Sequence, residues 1–532
     1  MSSLSADVVV VGAGATGSVV TARLAAARPE ARIVLIEAGG ATRHPAHRVP
    51  ILSGFAPFRR GISWDHVAER PRDLPGGPSG GPSGGVPVAL LQGRVLGGSS
   101  EINGMVVSRG AAEDYALWQR DCGDDWSPEA CLAAFRGLET SARGGSEWHG
   151  DAGEMHTRPV VPAAPLVGAF LAAAGAAGQP VVGDLNAASG PRFGLTDVNI
   201  HRGRRHSARR AFLPRLPGNV RLLAGRAERL TQRAGRITGV ALQDGRQVTV
   251  APGGEVVLCC GAVLTARLLL DSGYGPGAAL AAAGRQVVED VPELGQNLQN
   301  HPSFLLRAPT RGGSLLGLLS PLAGAAALAR YLAGGGGPLG EGLFQAAGYF
   351  AVPGTAPGDA DAQVVMSPAL FPADPRRWSD RLPRRHGASF AIQQGRPHSR
   401  GAVLPVAGGV RIDTGALADP RDTAAMLAAV AEVQRILATA PFRDWLADPA
   451  ATLAPVTAER LRATIGTAYH MAGTCRMGRD AGAVCDPRLR FRAAAGLRIA
   501  DASVMPVIPN AALHLPSLMI AARAAAFLLE DG

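Results

Sequence analysis

Lysine is absent from this chain of 532 residues, and all 53 basic side chains are arginine. Without a lysine amine, chemistry through a lysine Schiff base is excluded. The Ala-, Gly- and Arg-rich composition is that of a GC-rich genome, and the net charge of +10 is spread along the chain. Where arginines cluster, at Arg202, Arg204, Arg205, Arg209 and Arg210, no aromatic residues alternate with them as stacking platforms. No nucleic-acid partner is expected.

Cysteine is scarce. Cys122, Cys131, Cys259, Cys260, Cys475 and Cys485 form no C-x-x-C pair, so neither a zinc site nor a redox dithiol is expected. They read as reduced thiols in a cytoplasmic protein. Long apolar runs are also lacking. Ser314–Ala333 comes nearest, but Gly317, Pro321, Gly324 and Arg330 interrupt it. That pattern predicts a partly exposed helix and loop over a pocket, not a membrane span. The first predicted strand begins within a few residues of Met1, which leaves no room for a signal peptide.

A chain of this length predicts two packed domains. Asp7–Val11 is almost all valine, as expected of a strand buried on both faces. A glycine turn, a helical segment Thr16–Ala27 and a second strand Arg32–Ile36 complete a β-α-β unit. Further on, Val256–Cys259 and Leu497–Ile499 read as strands, and Thr423–Ala440 and Leu518–Leu529 as helices. Residues 71–87, rich in Gly, Pro and Ser, predict a flexible surface loop.

The turn of the β-α-β unit is Gly12-Ala13-Gly14-Ala15-Thr16-Gly17. Gly12 permits the tight turn, Gly14 lets the backbone approach a pyrophosphate, and Gly17 allows close helix–strand packing. The helix N-terminus offers free N–H groups to phosphate. Glu37 ends the next strand, 20 residues after Gly17, where its carboxylate can accept both hydroxyls of an adenosine ribose. Strand, turn, helix and acid in this order predict dinucleotide binding, with NAD and FAD both open.

Three more motifs follow. Gly93-Arg94-Val95-Leu96-Gly97-Gly98-Ser99-Ser100-Glu101-Ile102-Asn103-Gly104 brings adjacent glycines toward a flat ligand. Gly261-Ala262-Val263-Leu264-Thr265-Ala266 runs on to Gly275-Pro276, and Gly295-Gln296-Asn297-Leu298-Gln299-Asn300-His301-Pro302 comes later. Near the C-terminus stand Tyr469-His470-Met471-Ala472-Gly473-Thr474, Asp501-Ala502-Ser503 and His514-Leu515-Pro516-Ser517. In this order, across nearly the whole chain, they resemble the signatures of the glucose–methanol–choline oxidoreductase family. That family usually has Asp where Asn300 stands, and His301 reads as a structural hydrogen-bonding residue.

The resemblance implies an α/β fold with a Rossmann-like FAD-binding domain and a second α+β substrate domain, an antiparallel sheet covered by helices. The FAD domain would comprise residues 1–160, 201–302 and 456–532, with the substrate domain at 161–200 and 303–455. It further implies oxidation of a small-molecule alcohol by hydride transfer to the flavin, with His470 as base and His514 as its hydrogen-bonding partner. Gly12, Gly14, Ala15, Thr16, Gly17, Glu37, Ala38, Gly98, Ser99, Asn103, Gly104, Met105 and Val106 would hold FAD. Ala227, where the family usually has Val, would hold the adenine through main-chain atoms. Asp501, Ala502 and the amides from Pro516 to Ser517 would lie against the flavin ring. An alcohol gives up hydride readily only as its O–H proton is removed, and a neutral histidine suits that transfer.

Choline-specific relatives carry an acid near Gln345, so the amide here disfavours choline. Leu343, Phe344, Tyr349 and Phe350 favour an apolar or aromatic alcohol. A dehydrogenase is the expected form, its electron acceptor unassigned. An oxygen-using oxidase, a hydroxynitrile lyase with an idle flavin, a non-catalytic FAD scaffold and a flavin-free NAD dehydrogenase stay open. Some relatives attach FAD through a His just before the conserved Asn. Here that residue is Ile102, and none from Ser99 to Met105 is His, Cys or Tyr. FAD should therefore be non-covalent, and acid precipitation should release all yellow colour into solution. Flavin retained on the pellet would overturn this.

Overall fold

Leu4–Val11 forms the middle of a parallel sheet because its valines are buried on both faces. In the computed structural model, which describes residues 4–69, 88–372 and 384–531, this strand pairs with Ile33–Glu37 on one side and Gln247–Leu258 on the other. Val220–Ala224 extends the sheet beyond Ile33–Glu37, and Leu497–Ile499 pairs with the far edge of Gln247–Leu258. Helix Ala15–Ala27 returns from the first strand and packs against the C-terminal helix His514–Asp531. Val11, Glu37, Ala224, Leu258 and Ile499 all end at one sheet edge, where α/β sheets bind ligands. The predicted loop 71–87 lies outside the described residues.

A second sheet runs in the order Gly466–Thr467, Pro302–Pro309, Gly387–Gln394, Ala362–Ser367, Ala346–Phe350, Arg192–Leu195, and is antiparallel throughout. Phe304, Leu306, Val364, Met366, Phe390 and Ile392 face a core that helices Pro165–Ala176 and Pro420–Leu437 close. Alternate residues face the strand ends of the first sheet. The expected fold class, a Rossmann-like domain with a helix-covered antiparallel sheet, is the observed one. The short helix Ala458–Thr464 and strand Gly466–Thr467 pack with this second sheet.

Several boundaries differ from the sequence reading, each for a physical reason. Strand Gln247–Leu258 starts well before Val256, because its first half pairs antiparallel with Arg236–Leu242 and carries no apolar run. The last helix starts at His514, not Leu518, since Pro516 sits in the first turn, where no N–H is needed. The long helix starts at Pro420, with Asp419 accepting from Arg421 N at 2.9 Å. Ser314–Ala333 is a 3₁₀ turn, Leu315–Leu319, followed by helix Pro321–Gly334, whose Leu322 and Leu332 are exposed. Among the described residues no helix is long and apolar enough to cross a membrane. The six cysteines are unpaired.

A buried ionic network anchors the chain beyond the second glycine motif. His149 bonds Glu139 Oε2 at 3.1 Å through Nδ1 and Asp184 Oδ2 at 2.7 Å through Nε2. Arg109 donates to Glu139, and Arg143 donates to Asp197 at 2.9 Å. Asn186 donates to Asp197 at 3.0 Å and to Val107 O at 3.3 Å, tying the network to strand Val106–Val107. His149, Asp184 and Asp197 lie close enough to hold a metal ion, but these hydrogen bonds already occupy them. Burial alone would lower the His149 pKa, yet the bonds to Asp184 and Glu139 overcome this and carry it to about 9. A histidine raised on folding stabilises fully below its unfolded value of about 6.5 and loses that contribution as pH rises through about 9. His149→Gln should therefore cost most thermal stability near pH 6 and progressively less as pH rises from about 6.5 to about 9, with little cost left above that. Melting curves of both proteins across that range check it, and a pH-independent difference would refute it.

Candidate active site

A cavity of about 1470 Å³ lies between the strand ends of the first sheet and the open face of the second. It exceeds the ~300–1,000 Å³ typical of one small ligand and suits a dinucleotide plus a substrate. Gly12, Gly14, Ala15, Thr16, Glu37, Ala38, Gly98, Ser99, Asn103, Gly104, Met105, Val106, Ala227, Asp501, Ala502 and Ser517 line it, as do His470 and His514. The two glycine motifs touch there. A Cβ on Gly98, at φ +55°, would lie 2.7 Å from Gly14 Cα. Gly12, at φ +99°, approaches the Cys259 carbonyl equally closely. Gly17 is set back from the cavity, and a Cβ there would meet Gly12 O at 1.9 Å, so it serves helix packing.

Glu37 ends its strand with both carboxylate oxygens fixed, accepting from Ala13 N at 2.9 Å and Gly39 N at 2.6 Å. Burial pushes its pKa up to about 7 against these hydrogen bonds. Gly225 N donates to Glu37 O at 2.9 Å, which sets the start of the Ala227 strand beside it. Asn103 is held by a residue the sequence reading assigned to composition. Arg205, buried within its arginine-rich segment, donates to Asn103 Oδ1 at 2.5 Å, Asn103 O at 2.8 Å and Ser100 O at 3.1 Å. Burial lowers its pKa to about 10. No local pattern distinguishes this arginine from its exposed neighbours Arg202 and Arg204.

At the other end stand the histidines. His470 N donates to Asn300 Oδ1 at 3.0 Å, and Asn300 Nδ2 donates to Thr467 Oγ1 at 2.5 Å. Asn thus makes both bonds here, one of them a donation that an aspartate could not make. His470 Nδ1 lies 2.8 Å from His301 Nδ1, with the rings nearly perpendicular. His514 Nε2 is buried with no hydrogen-bond partner. Burial lowers both His470 and His514 to about 4, with Arg205 adding to the effect on His514.

Comparison with known proteins agrees with this geometry. The sequence matches the GMC oxidoreductase family over residues 6–303 with its N-terminal part and 397–521 with its C-terminal part. The chain belongs to the GMC oxidoreductase family. It is 30% identical to an oxygen-dependent choline dehydrogenase of Rhizobium johnstonii, over 99% of this chain and 96% of the relative. It is equally similar to an alcohol dehydrogenase [acceptor] of Pseudomonas putida, over 98% and 96%. Pyridoxine 4-oxidase from Mesorbium loti superposes with a TM-score of 0.83 at 28% identity, covering 98% of each chain.

This GMC oxidoreductase is an enzyme with FAD as its cofactor, and its residues fit that group. The touching glycine loops leave a floor without side chains, Glu37 is set at a strand end, and the cavity has the volume. Some expectations need correction. Pro516 does not line the cavity and has no N–H to offer. Ser517 N is already committed to Leu513 O at 3.0 Å, so no amide from Pro516 to Ser517 is free. Asp501 does line the cavity, and it fixes that wall by accepting from Gly261 N at 2.8 Å, Thr265 Oγ1 at 2.6 Å and Ser503 N at 2.9 Å.

Gln345 lies outside the cavity, bonded to Ala163 N at 2.9 Å and Gly342 O at 3.0 Å, so it carries no argument about choline. Phe350 belongs to the core under the second sheet, whereas Leu343, Phe344 and Tyr349 do reach the cavity. Two residues that no motif flagged also reach it, Gln363 and Gln393. Glu37→Ala should remove the strand-end acceptor and leave the purified protein largely without FAD. The ratio of flavin to protein absorbance measures this, and full occupancy would show that Glu37 does not hold the cofactor.

Proposed function

We propose that this enzyme oxidises an alcohol to an aldehyde or ketone, with His470 taking the hydroxyl proton. The observation that carries this reading is the pair His470 and His514, both lining one cavity and both held neutral by burial. FAD, when bound, supplies the hydride acceptor. The alcohol loses its O–H proton to His470 and its C–H hydrogen as hydride, so two electrons leave and a C=O bond forms.

His301 determines which nitrogen of His470 can act. One of the two facing Nδ1 atoms must donate to the other. The carbonyls of Gly395 and Pro509 favour a hydrogen on the buried His301, although neither completes a bond to its Nε2. A hydrogen on His301 Nε2 leaves its Nδ1 as acceptor. His470 then donates from Nδ1 and keeps a free lone pair on Nε2, the state a base requires. His514, with Nε2 unpartnered, orients the alcohol oxygen by a hydrogen bond.

Leu343, Phe344, Leu370 and Phe371 line the cavity and support an apolar or aromatic alcohol skeleton. Ile102, with no His, Cys or Tyr from Ser99 to Met105, supports FAD held without a covalent bond. The relative named alcohol dehydrogenase [acceptor] supports a dehydrogenase that reduces an acceptor other than oxygen. The name pyridoxine 4-oxidase supports direct use of oxygen as the second reading. Peroxide formation as fast as flavin reduction would decide for that second reading.

His470→Ala should bind FAD but slow anaerobic flavin reduction by roughly 10²–10⁴-fold, the usual worth of a positioned base. His514→Asn should retain much more activity than His470→Asn, because an amide can hydrogen-bond but cannot take a proton at neutral pH. Stopped-flow reduction with one alcohol separates them, and greater damage at His514 would reverse the roles. A protonated base is inactive, so the wild-type rate should be flat near neutral pH and fall only as pH drops through about 4. An acid limb centred near 6.5 would contradict a buried, neutral His470.

A further inference from the structure

Four strands of the second sheet turn a single row of paired residues toward the cavity. Ser303 pairs with Gln393, Gln393 with Gln363, and Gln363 with Tyr349. All four line the cavity. The next row, Leu305, Ala391 and Val365, also lines it and is apolar. Gln363 and Gln393 are only 2% and 7% exposed, and both carry an unpartnered buried amide atom, Nε2 of Gln363 and Oε1 of Gln393. The Tyr349 hydroxyl is taken by Ser108 Oγ at 2.7 Å.

From these observations we propose that Gln363 and Gln393 form a substrate subsite for an uncharged group that both donates and accepts hydrogen bonds, such as a carboxamide or hydroxyl carried on the alcohol's skeleton. This deepens the alcohol-oxidation reading and rests on it for the identity of the reacting end. Cross-strand pairing places the two amides side by side, and each can rotate to present oxygen or nitrogen. Together they match a ligand group with one donor and one acceptor. Water in the cavity can satisfy the same atoms, so a ligand that displaces it must reproduce those bonds.

The row also sets where that group lies. The strand bearing Ser303 starts at Pro302, just after His301, and pairs with Gly466–Thr467, just before His470. Gln393 and Gln363 are one and two strands further out, ~5 and ~10 Å at the usual strand spacing. A substrate with its carbinol at His470 reaches them across about one aromatic ring. Ser303, Leu305, Gln363, Val365, Ala391 and Gln393 offer no ionised side chain, so a quaternary ammonium or carboxylate would lose its hydration here without a counter-charge.

The test compares para-hydroxymethylbenzamide with para-methylbenzyl alcohol, and measures binding of the non-reacting para-toluamide to oxidised holoenzyme by calorimetry. Wild type should favour the amide-bearing alcohol by about tenfold or more in half-saturation of anaerobic flavin reduction, and should bind para-toluamide. Gln363→Met and Gln393→Met should keep FAD but abolish that binding and that preference, read as the ratio of the two alcohols' half-saturations within each protein. Their melting temperatures should hold or rise, because each removes an unsatisfied buried amide. No preference in wild type, or a preference surviving in both variants, overturns the proposal. Lower melting temperature with loss of flavin also overturns it, by showing that the amides are structural. If no alcohol bleaches the flavin, the oxidation reading fails, and para-toluamide binding in wild type and variants still decides the subsite.

Discussion

The cavity exists because strand Leu4–Val11 pairs in parallel with a strand some 240 residues later. That single register aligns Val11 with Leu258 and Leu258 with Ile499, bringing three distant turns to one edge. Cys259 N donates to Val11 O at 2.8 Å, and Ala500 N to Leu258 O at 2.8 Å. Asp501 then reaches back to Gly261 and Thr265, and Thr474 Oγ1 donates to Ala262 O at 2.7 Å. The last bond ties the segment just after His470 to the dinucleotide-binding sheet. A slip of one residue in the central pair would displace the glycine turn relative to Gly261 and Asp501 and would reverse the faces of the valines.

The other wall depends on a different periodicity. The antiparallel strands alternate between a core under two helices and the cavity, so each strand contributes to stability and to recognition with neighbouring residues. Phe390 and Ile392 are core, and Ala391 and Gln393 are cavity. Hydrophobic burial can therefore secure this sheet from one side only, which leaves its other face free to carry polar groups. Leaving a buried amide atom without a partner costs about 1–3 kcal/mol. A fold closed by the phenylalanine and isoleucine face can bear two such atoms.

Legibility in the sequence followed the same division. The first glycine turn and Glu37 were readable because backbone geometry and ribose binding demand those residue types at those spacings, whereas His470 and His514 were readable only through the family resemblance of the motifs around them. Gly17, read both as a packing glycine and as a cofactor residue, is set back from the cavity and serves packing. The errors arose where direction, not identity, decided the role. Phe350 stands beside the cavity residue Tyr349 in sequence but faces the core, since a strand turns alternate residues to opposite faces, and Gln345, just before that strand, is taken up by Ala163 N and Gly342 O. Pro516 was placed by proximity to Ser517, although its ring has no hydrogen to donate. Arg205 was lost among arginines that look alike until one is buried. Gln363 and Gln393 did leave a trace, as polar residues at period-two positions within apolar strands, but only cross-strand register reveals them as a pair.

Charge is arranged unevenly along the cavity, and that arrangement bears on the chemistry. Glu37, Arg226, Arg267 and Asp271 line it together with Ala227 at the dinucleotide end, where phosphate and ribose call for ions and fixed acceptors. The second-sheet wall beside His470 has none. A proton acceptor there gains from the absence, because a nearby cation would lower a histidine's affinity for the proton and a nearby anion would hold the proton too long. Burial keeps His470 and His514 neutral, and His301 gives His470 an uncharged partner. On the proposed mechanism, the imidazolium formed at His470 would be poorly solvated, which would favour onward release of the proton. On the proposed subsite, the same uncharged wall would discriminate among substrates, since it would accept polar groups only as hydrogen-bonding dipoles. Proton chemistry and substrate choice therefore rest on one constraint, a second sheet whose cavity face holds amides and apolar side chains where ionised groups would disturb the base.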